Sequence, residues 1–153
     1  MIKIFLFITL IPVFANASIS SDSLKQLHAD AEKGVAEAQY RLGMLYFMGN
    51  GVVQDNEEGM RWLHKAAEGG DPIYQYLLSF QYEIGMYVTR DSVESLRWHK
   101  KAAEGGNIYA QYSLAEKYES GQGIQQDYYE AFKWAGWPTF QVGSRQVVLK
   151  ILT

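Results

Sequence analysis

The sequence predicts an all-α protein, a solenoid of antiparallel helix pairs stacked in tandem. Three observations carry that expectation. The chain repeats itself at a fixed step of 36 residues, apolar residues within each unit recur at helical spacing, and glycine and aspartate stand where helices end and begin.

The step emerges when the chain is compared with itself. Ala31-Glu32-Lys33-Gly34 returns as Ala67-Glu68-Gly69-Gly70 and as Ala103-Glu104-Gly105-Gly106. Gln39-Tyr40 returns as Gln75-Tyr76 and Gln111-Tyr112. Leu42, Tyr46, Gly49, Asp55 and Trp62 each recur 36 residues later, and once more after a second step of 36. No insertion breaks the register.

Taken in order, the chain opens with Lys3, an apolar run from Ile4 to Phe14, and Ala15-Asn16-Ala17. That layout predicts a secretory signal peptide over 1–17, cleaved after Ala17, with small residues where the peptidase pocket requires them. The run is short for a permanent span, so no stable membrane insertion is expected after cleavage. Export to the periplasm or the medium follows as an expectation. Residues 18–34 match only the second half of a unit, with Leu27 at the place of Leu63, and are read as an N-terminal capping half-repeat.

Repeat 1 spans 35–70, repeat 2 spans 71–106 and repeat 3, incomplete, spans 107–137. The first helix of repeat 1 is expected over 36–48, with Ala38, Leu42, Leu45 and Tyr46 at helical spacing. Gly49, Gly85 and Gly121 suit the left-handed turn that ends it. Asp55-x-x-Glu58, Asp91-x-x-Glu94 and Asp127-x-x-Glu130 then open the second helices, with the aspartate capping and the glutamate reaching back to the cap amide. Each second helix carries a tryptophan in its middle. Lys65 and Lys101 lie near the negative ends, and Asp71-Pro72 reads as a cap followed by proline in the first turn. Gly43, Ser79 and Ala115 are all small and let the two helices of a unit approach. A lone helix pair cannot bury its apolar face, so the units must stack.

After Trp134 the pattern stops. Trp137-Pro138-Thr139-Phe140-Gln141-Val142 replaces the expected ending, and Pro138 is expected to break the last helix early. The tail over 138–153 is apolar, unlike the polar-faced cap that normally closes a solenoid. A disrupted or truncated array end is the favoured reading; a greasy cap folded back on repeat 3 is the alternative.

Composition excludes several kinds of chemistry. There is no cysteine, which removes disulfides, thiolate metal sites and cysteine nucleophiles. A net charge of −3 without a cationic block leaves nothing suited to a nucleic-acid backbone. His28 and His64 lie 36 apart and can sit side by side, but no third ligand is evident, and His99 falls one place off their ladder. The acidic pairs recur at cap positions, whereas catalytic pairs are normally unique. The Gly-x-Gly stretches follow helices, not strands, and so do not read as nucleotide loops. No cofactor, metal or catalytic residue is expected.

The repeated string Ala-Glu-x-Gly-x-x-x-x-Gln-Tyr-x-Leu-Gly-x-x-Tyr-x-x-Gly-x-Gly-Val-x-x-Asp, closing on Trp and Lys-Ala-Ala-Glu-Gly-Gly, resembles the Sel-1-like repeat family, relatives of the tetratricopeptide repeat. The resemblance covers about residues 24 to 134. The middle unit departs from it, with Ser79 in place of the preferred glycine and Tyr87 in place of a loop glycine. The resemblance implies a right-handed superhelix whose first helices line a concave surface that binds proteins or peptides, and it carries no shared catalytic residues. A cell-wall-directed or β-lactam-binding enzyme, known from a cysteine-rich branch, and a purely structural spacer are the alternatives.

In that geometry the first helices place parallel ladders on the concave side: Met44, Phe80, Glu116; Phe47, Glu83, Glu119; Met48, Ile84, Ser120; and Glu37, Ile73, Tyr109. These are the expected partner-binding residues, in a groove apolar at one end and acidic at the other that favours basic peptides. Tyr40, Tyr76 and Tyr112 recur in every unit and are expected to pack between repeats.

Overall fold

The computed structural model describes residues 19–135, so the expected signal peptide, Pro138 and the apolar tail lie outside the described residues. Among the described residues the chain forms helices only: α1 (Ser21–Glu32), α2 (Ala36–Met48), α3 (Asn56–Glu68), α4 (Pro72–Ile84), α5 (Ser92–Glu104), α6 (Ile108–Ser120) and α7 (Tyr128–Ala135). Each helix packs on the one before and the one after it. The result is an α-solenoid of antiparallel pairs α2–α3, α4–α5 and α6–α7, with α1 stacked on the first.

The helix boundaries follow from local chemistry. Asp55 Oδ1 accepts from the Glu58 amide at 3.0 Å, and Asp91 and Asp127 do the same for Glu94 and Glu130. Asp71 accepts from the Ile73 amide ahead of Pro72, whose missing N–H would be unpaired in a first turn anyway. Gly49, Gly85 and Gly121 end α2, α4 and α6 with φ of 65°, 70° and 73°, the left-handed region in which a side chain is strained.

One expectation about the caps is corrected. The glutamate three residues on does not reach back to the cap amide. Glu58 and Glu130 instead accept from the indole Nε1 of Trp62 and Trp134, one turn further on, at 2.8 and 3.0 Å. A buried indole N–H needs a partner, and the cap amides already have one: Asp55, Asp91 and Asp127 donate to the carbonyls of Tyr46, Tyr82 and Tyr118. In repeat 2, Glu94 accepts from Arg97 as Glu58 does from Arg61, but Trp98 Nε1 is buried without a partner among the described residues.

Three apolar clusters hold the stack. Ala31, Ala38, Leu42 and Trp62 join α1 to the first pair. Phe47, Met60, Leu63, Ala66, Ala67, Tyr74, Leu78 and Trp98 join the first pair to the second. Ala102, Ala103, Ala110 and Leu114 begin the third. The repeated glutamine works at these junctions: Gln39, Gln75 and Gln111 donate from Nε2 to the carbonyls of Ala31, Ala67 and Ala103 at the end of the preceding helix. Each of those carbonyls also accepts from the glycine amide just past its helix, Gly34, Gly70 or Gly106, and the side-chain amide from the next helix adds a second donor that fixes the register.

The histidines also find places in the stack. His28 sits edge-on to Tyr46 and Trp62, and His64 edge-on to Tyr82 and Trp98, so each occupies its own aromatic cage instead of joining the other. His64 Nε2 lies 2.8 Å from the Tyr82 hydroxyl. His99 is buried at the Leu63 position of its unit, against Tyr76 and Ser95.

Candidate functional site

An exposed or half-buried stripe runs along each of α2, α4 and α6 at spacings of four, three and four residues, with Ile108 and Tyr112 exposed beside it on α6. On α2 the stripe reads Glu37, Arg41, Met44, Met48; on α4 it reads Ile73, Leu77, Phe80, Ile84; on α6 it reads Tyr109, Ser113, Glu116, Ser120. These are equivalent positions in the three repeats, so the stripes are parallel ladders on the face away from α3, α5 and α7. The middle stripe is apolar throughout. Ile73, Phe80 and Ile84 keep 58%, 44% and 41% of their surface exposed, and Leu77 is half-buried among them.

A soluble helix normally turns its apolar residues inward, and α4 does this as well, burying Tyr74, Leu78 and Ser79. The outward stripe therefore adds a second apolar face that nothing among the described residues covers. Tyr109 and Tyr112 extend it onto α6, and Met48 extends it onto α2. Contiguous exposed apolar surface of this kind is uncommon on a folded chain that stands alone.

Carboxylates flank the stripe. Glu37 accepts from the Tyr74 hydroxyl at 2.6 Å, and Arg41 stands 3.6 Å from it. Burial, followed by that bond to a carboxylate, raises the Tyr74 phenol pKa well above its ordinary value. On α6, Glu116 is exposed and hydrogen-bonds to the Tyr112 phenol, which raises the pKa of that group too. Between α1 and α2 the same face continues as a groove of about 490 Å³ lined by Ile19, Leu27, Tyr40 and Met44.

The structure sorts the expected binding residues. Glu37, Met48, Ile73, Phe80, Ile84, Tyr109 and Glu116 are exposed on the face, and Met44 lies half-buried at its edge. The ladder Phe47, Glu83, Glu119 is not part of it. Phe47 is only 2% exposed and stacks on Tyr87 with ring centroids 4.0 Å apart. It turns inward because Gly59 leaves it room: a Cβ there would come within 2.5 Å of the ring. Glu83 is turned into the seam between repeats 2 and 3, paired with Lys117, and Glu119 is half-buried. The repeated tyrosines divide as well. Tyr40 lies half-buried against Tyr74, and Tyr76 against Tyr109 and His99, but Tyr112 is exposed.

No group of three His, Asp or Glu among the described residues gathers as a metal site, and no described helix is long and apolar enough to cross a membrane. Stacked helix pairs and an open ladder face place the described residues in the class of helical repeat scaffolds suited to protein interaction.

The comparisons with known proteins agree with that class. The Sel1 repeat profile matches residues 36–71, 72–107 and 108–135. The chain belongs to the Sel1 repeat family. It is similar to the crystal structure of a Sel1 repeat protein from Oxalobacter formigenes, with 32% identity and a TM-score of 0.63 over 82% of this chain and 96% of that one. It is also similar to c5321, a protective antigen of uropathogenic Escherichia coli strains displaying the same repeat fold. The identity there is 35% and the TM-score 0.66, over 83% of this chain and 25% of that chain. A search of the curated proteins finds no match.

Proposed function

We propose that this chain is an exported interaction module that holds a peptide or protein segment against the α2–α4–α6 face. The observation that carries the reading is the outward stripe Ile73, Leu77, Phe80, Ile84, an apolar ladder on the central first helix. Glu116 on α6 borders that stripe with negative charge, while on α2 Glu37 is paired with Arg41. A segment that presents apolar side chains beside a lysine or arginine fits this arrangement. Export rests on the N-terminal pattern of Lys3, the apolar run and Ala15-Asn16-Ala17.

A photo-crosslinking amino acid placed at Ile84 or Tyr109, with Glu57 on α3 as control, tests the face in the cells that make the protein. Crosslinks to a distinct partner are expected from the first two positions and not from the third. They should disappear when Ile73 and Phe80 are both changed to glutamate, while the circular dichroism of the folded chain is unchanged. Crosslinks that survive the double change, or that form equally from Glu57, overturn the proposal. A chain whose N-terminal segment is still present on mature protein overturns the export part alone.

A further inference from the structure

The seams between successive repeats are built from equivalent positions, but at the loop end they are filled differently. In the seam between repeats 1 and 2, Phe47 lies on Gly59 and stacks against Tyr87, and Gln54 Nε2 donates to the Phe47 carbonyl at 2.9 Å. One step later Glu83 replaces Phe47, Arg90 replaces Gln54, Ser95 replaces Gly59 and Gly123 replaces Tyr87. The ring stack is gone. Lys117 stands where repeat 2 has Gln81, and Gln122 where it has Met86. A cavity of about 100 Å³ opens in the vacated space, lined chiefly by Glu83, Arg90, Ser92, Ser95, Lys117 and Gln122. That is room for a few waters or for one small polar group.

The charges in the cavity do not cancel. Glu83 Oε1 is bound to Lys117 Nζ, whose side chain is only 17% exposed, so these two neutralise one another. His99 Nε2 approaches the other Glu83 oxygen at 4.0 Å, and burial lowers its pKa, so near neutral pH it adds no charge. Arg90 is left over. Gln126 repeats the carbonyl cap of Gln54 by donating to Glu119, but Arg90 caps nothing and has no ion-pair partner among the described residues. Two cations and one carboxylate leave a single positive charge in the lining of a cavity that Leu96 and Ile124 complete with apolar surface, in a chain whose net charge is −3.

We infer that this cavity is a binding pocket for a carboxylate group, taken up by the Arg90 guanidinium with Lys117 behind it and the hydroxyls of Ser92 and Ser95 beside it. A planar fork suits a carboxylate, and one surplus positive charge matches a monoanion. A dianionic phosphate would meet the Glu83 carboxylate with charge to spare. The pocket lies at the loop end of the solenoid and stands independently of the proposed apolar face.

The test follows backbone amide shifts of the ¹⁵N-labelled chain at pH 7.5 and low salt. The probes are N-acetyl-trialanine with a free carboxylate, the same peptide amidated, glutarate, and inorganic phosphate. The free-carboxylate peptide should shift the amides of Ser92, Ser95, Lys117 and Gly123 saturably, and the amidated peptide should not. Glutarate matching the peptide identifies a free small acid as the natural source; a clear preference for the peptide identifies a chain terminus. Arg90→Gln, at an exposed position, should weaken binding at least about tenfold through loss of a charge-assisted contact. Glu83→Gln should tighten it, because it removes the competing carboxylate and frees Lys117; a purely structural ion pair has no such effect. Absence of saturation, equal shifts with the amidated peptide, equal affinity for phosphate, or weaker binding by Glu83→Gln each overturns the assignment.

Discussion

Gly43 and Gly59 set the distance between α2 and α3. A Cβ at Gly43 would lie 2.8 Å from the Gly59 carbonyl oxygen, closer than packed atoms tolerate, and in ordinary contact with Trp62 Cβ at 3.5 Å. The obstacle at 2.8 Å is backbone, so no side chain can swing aside. Gly43→Ala gains roughly 1 kcal/mol of helix propensity and loses about 1–3 kcal/mol to overpacking. The clash wins, and the variant should unfold at lower urea, with a net loss of about 1 kcal/mol. Equal or higher stability would mean that α2 and α3 can separate without loss of contact. The same residue-scale argument explains Phe47, which turns inward because the facing residue has no side chain.

Both seams between successive repeats hold an imidazole, half-buried at His64 and buried at His99, and this ties the packing of the helices to pH. Burial lowers the pKa of His64, and it lowers that of His99 as well, from the ordinary 6.5. The folded chain then binds fewer protons than the unfolded one. Stability from these groups is complete above about pH 6.5 and is lost as the pH falls below it toward their folded values. Urea midpoints should therefore drop between pH 7.5 and 5.5. His99→Leu places in the later seam the residue that Leu63 supplies in the earlier one, and His64→Gln keeps a polar group near Tyr82. Both should flatten the pH slope. An unchanged slope in both variants would locate the proton uptake elsewhere.

At the scale of the whole molecule, the helices touch their neighbours and little else, so stability should be passed along the stack one seam at a time. Trp98 is buried in the cluster between repeats 1 and 2, while the cluster of α1 with the first pair contains none of that cluster's buried residues. Trp98→Ala should cost about 3–5 kcal/mol. In hydrogen exchange its effect should be uneven, with α4 and α5 losing protection before α1 and α2. Uniform loss through all helices would show one cooperative core instead of a chain of seams. The apolar stripe of α4 belongs to this scale too, because it becomes a face only when α2 and α6 stand on either side of it.

The repeat, the helix pairs and the capping aspartates were legible in the sequence, because a strict period and local cap chemistry need no tertiary information. Most of the exposed ladder face was legible for the same reason: positions 37, 44 and 48 and their equivalents share a side of an ideal helix. Position 47 lies one residue, about 100°, from position 48, so its direction depends on what stands opposite. Gly59 and Tyr87 draw Phe47 inward, and the departure of Tyr87 from the repeated glycine was the signal that could have revealed it. Glu58 and Glu130 turn to the indole one turn away because the cap amides are already held by tyrosine carbonyls of the preceding helix, a contact that local spacing does not reveal. The sequence by itself determined the solenoid, its period and the ends of its helices, all of which rest on contacts within a few residues. Only the tertiary structure decided which side chains fill each seam and which are left to solvent, because that depends on residues a full repeat apart meeting across a gap.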